Sequence, residues 1–260
     1  IEIKEETIQT VAKPSFAQTN AAAFEHVTFK YTETSDPVLE DIDFTIPKGK
    51  TTAIVGGTGS GKSSLAKLLL RLSDPTVGKV TLGGIPLTQM TQEQIRSHIS
   101  YVPQKAFLFS GTILSNLQMG NEHALPEELA KAIKIAQLEE LVDTLPDGLD
   151  SFVAQGGSNY SGGQKQRICI ARALIKPAEI YVFDDSFSAL DYKTDAALRA
   201  ALHKHMSEKT LVIVAQRLST IQQADNIIVL DEGKIVGQGT HEELLSNCQT
   251  YQEFAKSQGI

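Results

Sequence analysis

The stretch "TTAIVGGTGSGKSSLAKLLL", residues 51–70, constrains this chain more than any other. A β-branched, apolar run leads into eight small residues and a lysine, "GGTGSGKSS" (56–64), that fit Gly-x-x-x-x-Gly-Lys-Ser, and an apolar helical repeat follows at Leu65, Leu68, Leu69 and Leu72. Strand, glycine loop and helix in that order make a βα unit whose loop backbone can turn its N–H groups inward around phosphate oxygens, with the helix N-terminus adding a favourable partial charge. Gly56, Gly57, Thr58, Gly59, Ser60 and Gly61 form the loop, with Ser63 and Ser64 closing it. Lys62 can reach the β- and γ-phosphates, and the Ser63 hydroxyl can ligate magnesium. The plainer alternative is a βα turn with an incidental lysine, but the flanking strand and helix favour a nucleotide.

The rest of the chain follows the same class. Residues 24–82 are rich in strand patterns: "FEHVTFKY" alternates, "FTIPKGKTTAIV" carries a turn between two strands, and "GKVTLGGIPL" reads as a hairpin. Residues 105–175 are largely helical, "PEELAKAIKIAQLEELVDTL" being the clearest amphipathic segment, and strands then alternate with helices to the end. That alternation predicts an α/β fold: a mainly parallel sheet interrupted by a helical insertion. The net charge of -7 and pI near 5.4 argue against nucleic-acid binding by broad phosphate neutralisation. Cys169 and Cys248 have no metal-ligand spacing, and Cys169 reads as a reduced core thiol in an intracellular setting. The histidines of "HKH" (203–205) read as a solvated helix face. No apolar run approaches the ~20 residues that cross a bilayer. Polar residues 1–22, with Pro14, read as a linker without a signal peptide.

Two further motifs carry chemistry. "IYVFDD" (180–185) is a strand that delivers Asp184 and Asp185 to its C-terminal end, where α/β proteins bind ligands. "NYSGGQKQRICIARALI" (159–175) reads locally as a helix capped by Ser161, with Gln164 completing a capping box. The order of these motifs gives the second a further meaning. From about Phe24 to Leu245 the chain resembles the nucleotide-binding domain of ATP-binding-cassette (ABC) transporters. The matching residues are "GGTGSGKSS" as Walker A, "YVPQ" (101–104) with Gln104 of the Q-loop, "SGGQ" (161–164) as signature, "YVFDD" (181–185) as Walker B and "SALD" (188–191) as D-loop. "FLFSGTILSNL" (107–117) is similar to the segment after the Q-loop in multidrug-type exporters.

The resemblance implies a RecA-like P-loop ATPase core, an antiparallel β-subdomain and a helical subdomain spanning about 105–175, together forming a domain over 23–260. It implies ATP and Mg²⁺ as ligands, with Tyr31 stacked on adenine and Ser63, Gln104 and Asp184 around the metal. It implies a head-to-tail dimer in which Ser161, Gly162, Gly163, Gln164 and Asp191 complete the partner's ATP site, and attachment to a transmembrane domain at the cytoplasmic face of the membrane. Tyr31 also has a simpler reading, as a core aromatic alternating with Val27 and Phe29.

Three departures from the family pattern matter. The residue after the Walker B aspartate is normally a glutamate that polarises the attacking water; here it is Asp185, one methylene shorter. A misplacement of about 1 Å can cost about 10²-fold in rate, or about 2.7 kcal/mol. The family's γ-phosphate histidine is replaced by Gln216, an amide that cannot become cationic or shuttle a proton. Ala154, Gln155, Gly156 and Gly157 stand where many exporters have Gly-Glu-Arg-Gly, and Tyr160 replaces a leucine. With Lys62, Asp185 and Gln216 as the catalytic set, the pattern resembles the degenerate-site half of a heterodimeric exporter. The rival readings are an ATP-dependent binding switch without hydrolysis and a soluble ABC ATPase outside transport.

Overall fold

The computed structural model describes residues 13–260. In chain order the elements are β1 (Asn20–Phe29), β2 (Leu39–Pro47), β3 (Thr51–Gly56), α1 (Lys62–Leu69), β4 (Val77–Leu82), β5 (Ile85–Pro86), α2 (Gln92–His98) and β6 (Ile99–Val102). The helical part follows, with β7 (Gly111–Thr112), α3 (Ile113–Gln118), α4 (Pro126–Ile135), α5 (Glu139–Thr144), β8 (Phe152–Val153) and α6 (Gly162–Ile175). The chain closes with β9 (Ile180–Asp184), α7 (Tyr192–His205), β10 (Thr210–Ala215), β11 (Asn226–Asp231), β12 (Lys234–Gly239), α8 (His241–Asn247) and α9 (Gln249–Ser257).

One sheet runs β2-β1-β4-β5 and is antiparallel throughout; the larger runs β12-β11-β3-β10-β9-β6. Every pair in the larger sheet is parallel except the β11–β12 hairpin at its edge. The expected turn after "FTIP" therefore carries the chain from one sheet to the other rather than closing a hairpin. β9 and β10 are buried along their whole length, as the continuous apolar runs of a parallel sheet covered on both faces require. Edge strand β12, by contrast, has no fully buried position. One core cluster holds Phe183, Ile213 and Val229 with α6 and α7; the other holds Ile54, Val182 and Val214 with α1 and the antiparallel sheet. The helical insertion lies between β6 and β9, which are neighbours in the sheet, so it rises from one crossover and leaves the sheet intact.

The structure differs from the sequence expectations at three places. Residues 1–12 of the expected linker lie outside the described residues, and β1 takes in Asn20, Ala21 and Ala22, with both alanines buried against the core. Leu72 does not continue the α1 stripe: the helix ends at Leu69, and Leu72 is 52% exposed while Leu65, Leu68 and Leu69 are buried. Arg71 adopts φ 49°, with Arg71 N–H bonded to Leu68 O and Leu72 N–H to Lys67 O, the paired bonds of a Schellman stop. The same device divides the long amphipathic segment. Gln137 at φ 57° separates α4 from α5, with Gln137 N–H on Lys134 O and Leu138 N–H on Ile133 O. Cys169 and Cys248 are buried free thiols. Tyr160 occupies the core of the helical part, its hydroxyl donating to Phe152 O at 3.2 Å.

Candidate functional site

The glycine loop leaves the C-terminal end of β3 in the middle of the larger sheet and runs into α1. Two of its glycines are demanded by packing. A Cβ at Gly56 would stand 2.3 Å from Leu230 O on the neighbouring strand, and one at Gly61, where φ is 101°, would stand 2.5 Å from Leu39 Cδ2. Gly57 and Gly59 have nothing within 4 Å of that position, so the open side of the loop is the side they form. Lys62 is only 8% exposed and curls over its own loop, donating to Gly56 O at 2.8 Å and Gly57 O at 2.7 Å, with Ser60 Oγ at 3.4 Å. Burial lowers its pKa, while Asp185 and Asp184 oppose that shift. Thr58 and Ser63 are exposed; Ser64 is buried and meets the Tyr31 hydroxyl at 3.0 Å.

Asp184 ends β9 beside this loop. Its Oδ2 accepts from the Tyr101 hydroxyl at 3.0 Å, whereas its Oδ1 is buried with no hydrogen-bond partner. Burial raises the Asp184 pKa, and Asp185 adds to the rise, while the Tyr101 bond and Lys62 oppose it. A buried, orphaned carboxylate oxygen on Asp184 and an exposed hydroxyl on the glycine loop at Ser63 are the donor chemistry a magnesium ion takes, directly or through water, so these residue types fit the implied metal. Asp185 follows with φ 45°, an uncommon conformation for a non-glycine residue. Its Oδ2 accepts from Gln104 Nε2 at 2.9 Å and from Gln216 Nε2 at 3.3 Å. The ends of β3, β6, β9 and β10 thus gather Lys62, Gln104, Asp184, Asp185 and Gln216 at the carboxyl edge of a parallel sheet.

Tyr31 lies beyond the end of β1 and is 53% exposed, which rules out the core-aromatic reading. Its ring packs edge-on against Phe29, and Lys67 Nζ lies 5.6 Å from its centroid. Ser161 caps α6 through Gln164 N–H at 3.2 Å, and Gln164 Oε1 returns a bond to Ser161 N–H at 2.8 Å. Ser161 and Gly162 are exposed, with open space around Gly162. This helix end forms no hydrogen bond with the Lys62–Asp184 cluster among the described residues. Asp191 caps α7, accepting from Thr194 N–H at 3.0 Å, which holds its carboxyl below the usual range.

Two contributors escaped the sequence reading. Tyr101 is one; burial, reinforced by Asp184, raises the pKa of its phenol. Gln258 is the other: it accepts from Leu218 N–H at 2.8 Å and donates to Gln216 O at 2.9 Å, bracing the loop that carries Gln216. Neither has a local signal, since the contacts join residues 83, 40 and 42 positions apart.

The family model for "ABC transporter" matches residues 39–188, more than half of the chain. An uncharacterised ABC transporter ATP-binding protein of Mycobacterium tuberculosis is 48% identical over 250 residues, covering 95% of this chain and 43% of that protein. A probable multidrug resistance ABC transporter ATP-binding/permease protein of Bacillus subtilis is 44% identical over 237 residues, 91% of this chain and 40% of that protein. The solved structure of a bacterial Atm1-family ABC exporter with ATP bound aligns at a TM-score of 0.90 and 35% identity, covering 96% of this chain and 45% of that one. The chain thus spans under half the length of the relatives it matches. No described helix is long and apolar enough to cross a membrane. With the loop, the acid strand and the capped signature helix in the family's order, the chain belongs to the ABC transporter family and spans its ATP-binding domain.

Proposed function

We propose that this domain is the ATPase of one subunit of a heterodimeric, multidrug-type ABC exporter, working at the cytoplasmic face of the membrane. In this reading its own Walker site hydrolyses weakly and its signature helix completes the partner's competent site. The relatives' greater length supports a membrane part elsewhere in the protein. The observation that carries the weak-site reading is the clamp on Asp185. Two amides, Gln104 and Gln216, share its Oδ2, so one of its two carboxylate oxygens already accepts two hydrogen bonds.

Binding begins with Lys62 releasing the carbonyls of Gly56 and Gly57 and turning to the β- and γ-phosphates. The open backbone at Gly57 and Gly59 admits those phosphates, and Tyr31, held by Ser64, offers its exposed face to adenine. Ser63, Asp184 and Gln104 would hold Mg²⁺, which when bound neutralises charge on the phosphate oxygens. Asp185 then has to orient a water through a short side chain already engaged by two amides. Across the dimer, Ser161 and the N–H groups of Gly162 and Gly163 would meet the partner's γ-phosphate. The clamp equally suits a binding switch without hydrolysis, which single-turnover kinetics on the purified domain would separate from a slow enzyme.

The test is ATPase activity of the reconstituted transporter carrying single substitutions in this subunit. Asp185→Asn should leave activity within about twofold. Gly162→Asp fits the free space around that glycine, so its effect is one of charge against the partner's phosphate; it should cost about 10²-fold or more, the scale of losing preorganised stabilisation. Equal damage from both would mean that both sites turn over, and the degenerate-site reading would fall.

A further inference from the structure

We infer that Tyr101 is a positioning residue for magnesium: its hydroxyl fixes the Asp184 carboxylate so that the second oxygen stays turned toward the metal. This rests on the reading of the site as one for Mg-ATP. The sheet register makes the contact possible. Tyr101 on β6 pairs with Val182 on β9, so Tyr101, Val182 and Asp184 share one face, Val182 and Asp184 lying two positions apart along the strand. That step is about 6.6 Å along a strand, which a tyrosine spans and a valine or serine does not. The 3.0 Å bond occupies Oδ2, and Oδ1 remains buried and unpartnered in a residue only 5% exposed. A carboxylate left free to rotate would exchange its two oxygens; the phenol makes them unequal. It is an outer-shell partner, and outer-shell partners of metal sites typically contribute 10–100-fold to metal affinity.

Tyr101→Phe removes the hydroxyl and keeps the ring, which packs against the core beside α1. ATP dissociation constants are measured by calorimetry in excess Mg²⁺ and in EDTA, for the wild type and the variant, together with the unfolding temperature without nucleotide. The wild type should bind more tightly with magnesium, and Tyr101→Phe should lose about tenfold of that gain. Its affinity in EDTA should stay within twofold, while its unfolding temperature should fall by a few degrees because Asp184 Oδ2 loses its bond. Electron-spin titration of Mn²⁺ into the ATP complex should show the same weakening. An unchanged magnesium gain in the variant, or equal losses with and without metal, overturns the positioning role while leaving the nucleotide site standing. A wild type that binds no ATP under either condition overturns both.

Discussion

At the scale of single residues, the acid pair at the end of β9 shows stability given up for chemistry. Asp184 is a buried carboxylate with one oxygen unsatisfied, and burial raises its pKa. A carboxyl whose folded pKa lies above its unfolded value favours the folded state fully only below the ordinary carboxylate range. That contribution is lost as the pH rises through the raised value. Asp184→Asn should therefore stabilise the nucleotide-free domain at neutral pH by about 1 kcal/mol, the usual size for relieving a functional compromise, or about 2–4 °C. The advantage should vanish toward pH 4, and Mg-ATP should reverse the order by stabilising the wild type more than the variant. Thermal scans across pH, with and without Mg-ATP, check both signs; a variant less stable at pH 7 without ligand would contradict the account. Asp185 is compromised differently, being held at positive φ and shared by Gln104 and Gln216.

At the scale of elements, the starts of helices are written in the sequence and two of their ends are not. Ser161 with Gln164, and Thr240 with Glu243, form capping boxes that a four-residue window reveals. α1 and α4 stop at Arg71 and Gln137, where the usual C′ glycine is missing. The Leu65–Leu72 stripe and the segment 126–145 consequently read as longer helices than they are. Left-handed backbone costs a non-glycine residue about 1–2 kcal/mol, part of which a glycine returns through its larger unfolded-state entropy. Gln137→Gly should raise stability by about 0.5–1 kcal/mol, read as a higher urea midpoint at unchanged m. The backbone carbonyl of Gln137 that Arg167 uses is kept, so the α4–α6 contact should survive. A lower midpoint would mean that the Gln137 side-chain bond to Lys134 O outweighs the strain.

At the scale of the whole molecule, the proposed dimer needs exposed faces on both parts of the fold. Thr58, Gly59, Ser63, Gln104 and Gln216 are exposed on one side, and Ser161 and Gly162 on the helical part. If two copies meet head to tail around ATP, weak hydrolysis should leave the dimer long-lived without any blocking substitution. Each copy carries a net charge of -7 and brings further negative charge with ATP, so repulsion between copies opposes association. The Debye length is about 30 Å at 0.01 M salt and about 8 Å at 0.15 M, while contacts buried in the interface are screened less. Light scattering with Mg-ATP should therefore show more dimer at 0.15 M salt than at 0.01 M, and monomer without nucleotide. Association that weakens with salt would point to an attractive surface charge pattern instead.

The sequence by itself determined the pieces whose physics is local. The βα unit around Lys62, the strand ending in Asp184 and Asp185 and the capped helix at Ser161 all follow from periodicity, turn residues and contacts within a few positions. Those pieces in their order also sufficed to indicate the family. Tertiary structure decided which pieces touch. The sequence assigns Tyr101 to a strand but not to a neighbour, and only the parallel pairing of β6 with β9 across the helical insertion brings its hydroxyl to Asp184. The convergence of Gln104 and Gln216 on one oxygen of Asp185 likewise comes from loops leaving β6, β9 and β10 side by side. Side-chain periodicity fixes the face of a strand a residue occupies, and the neighbour across that face is chosen by packing among elements far apart in the chain.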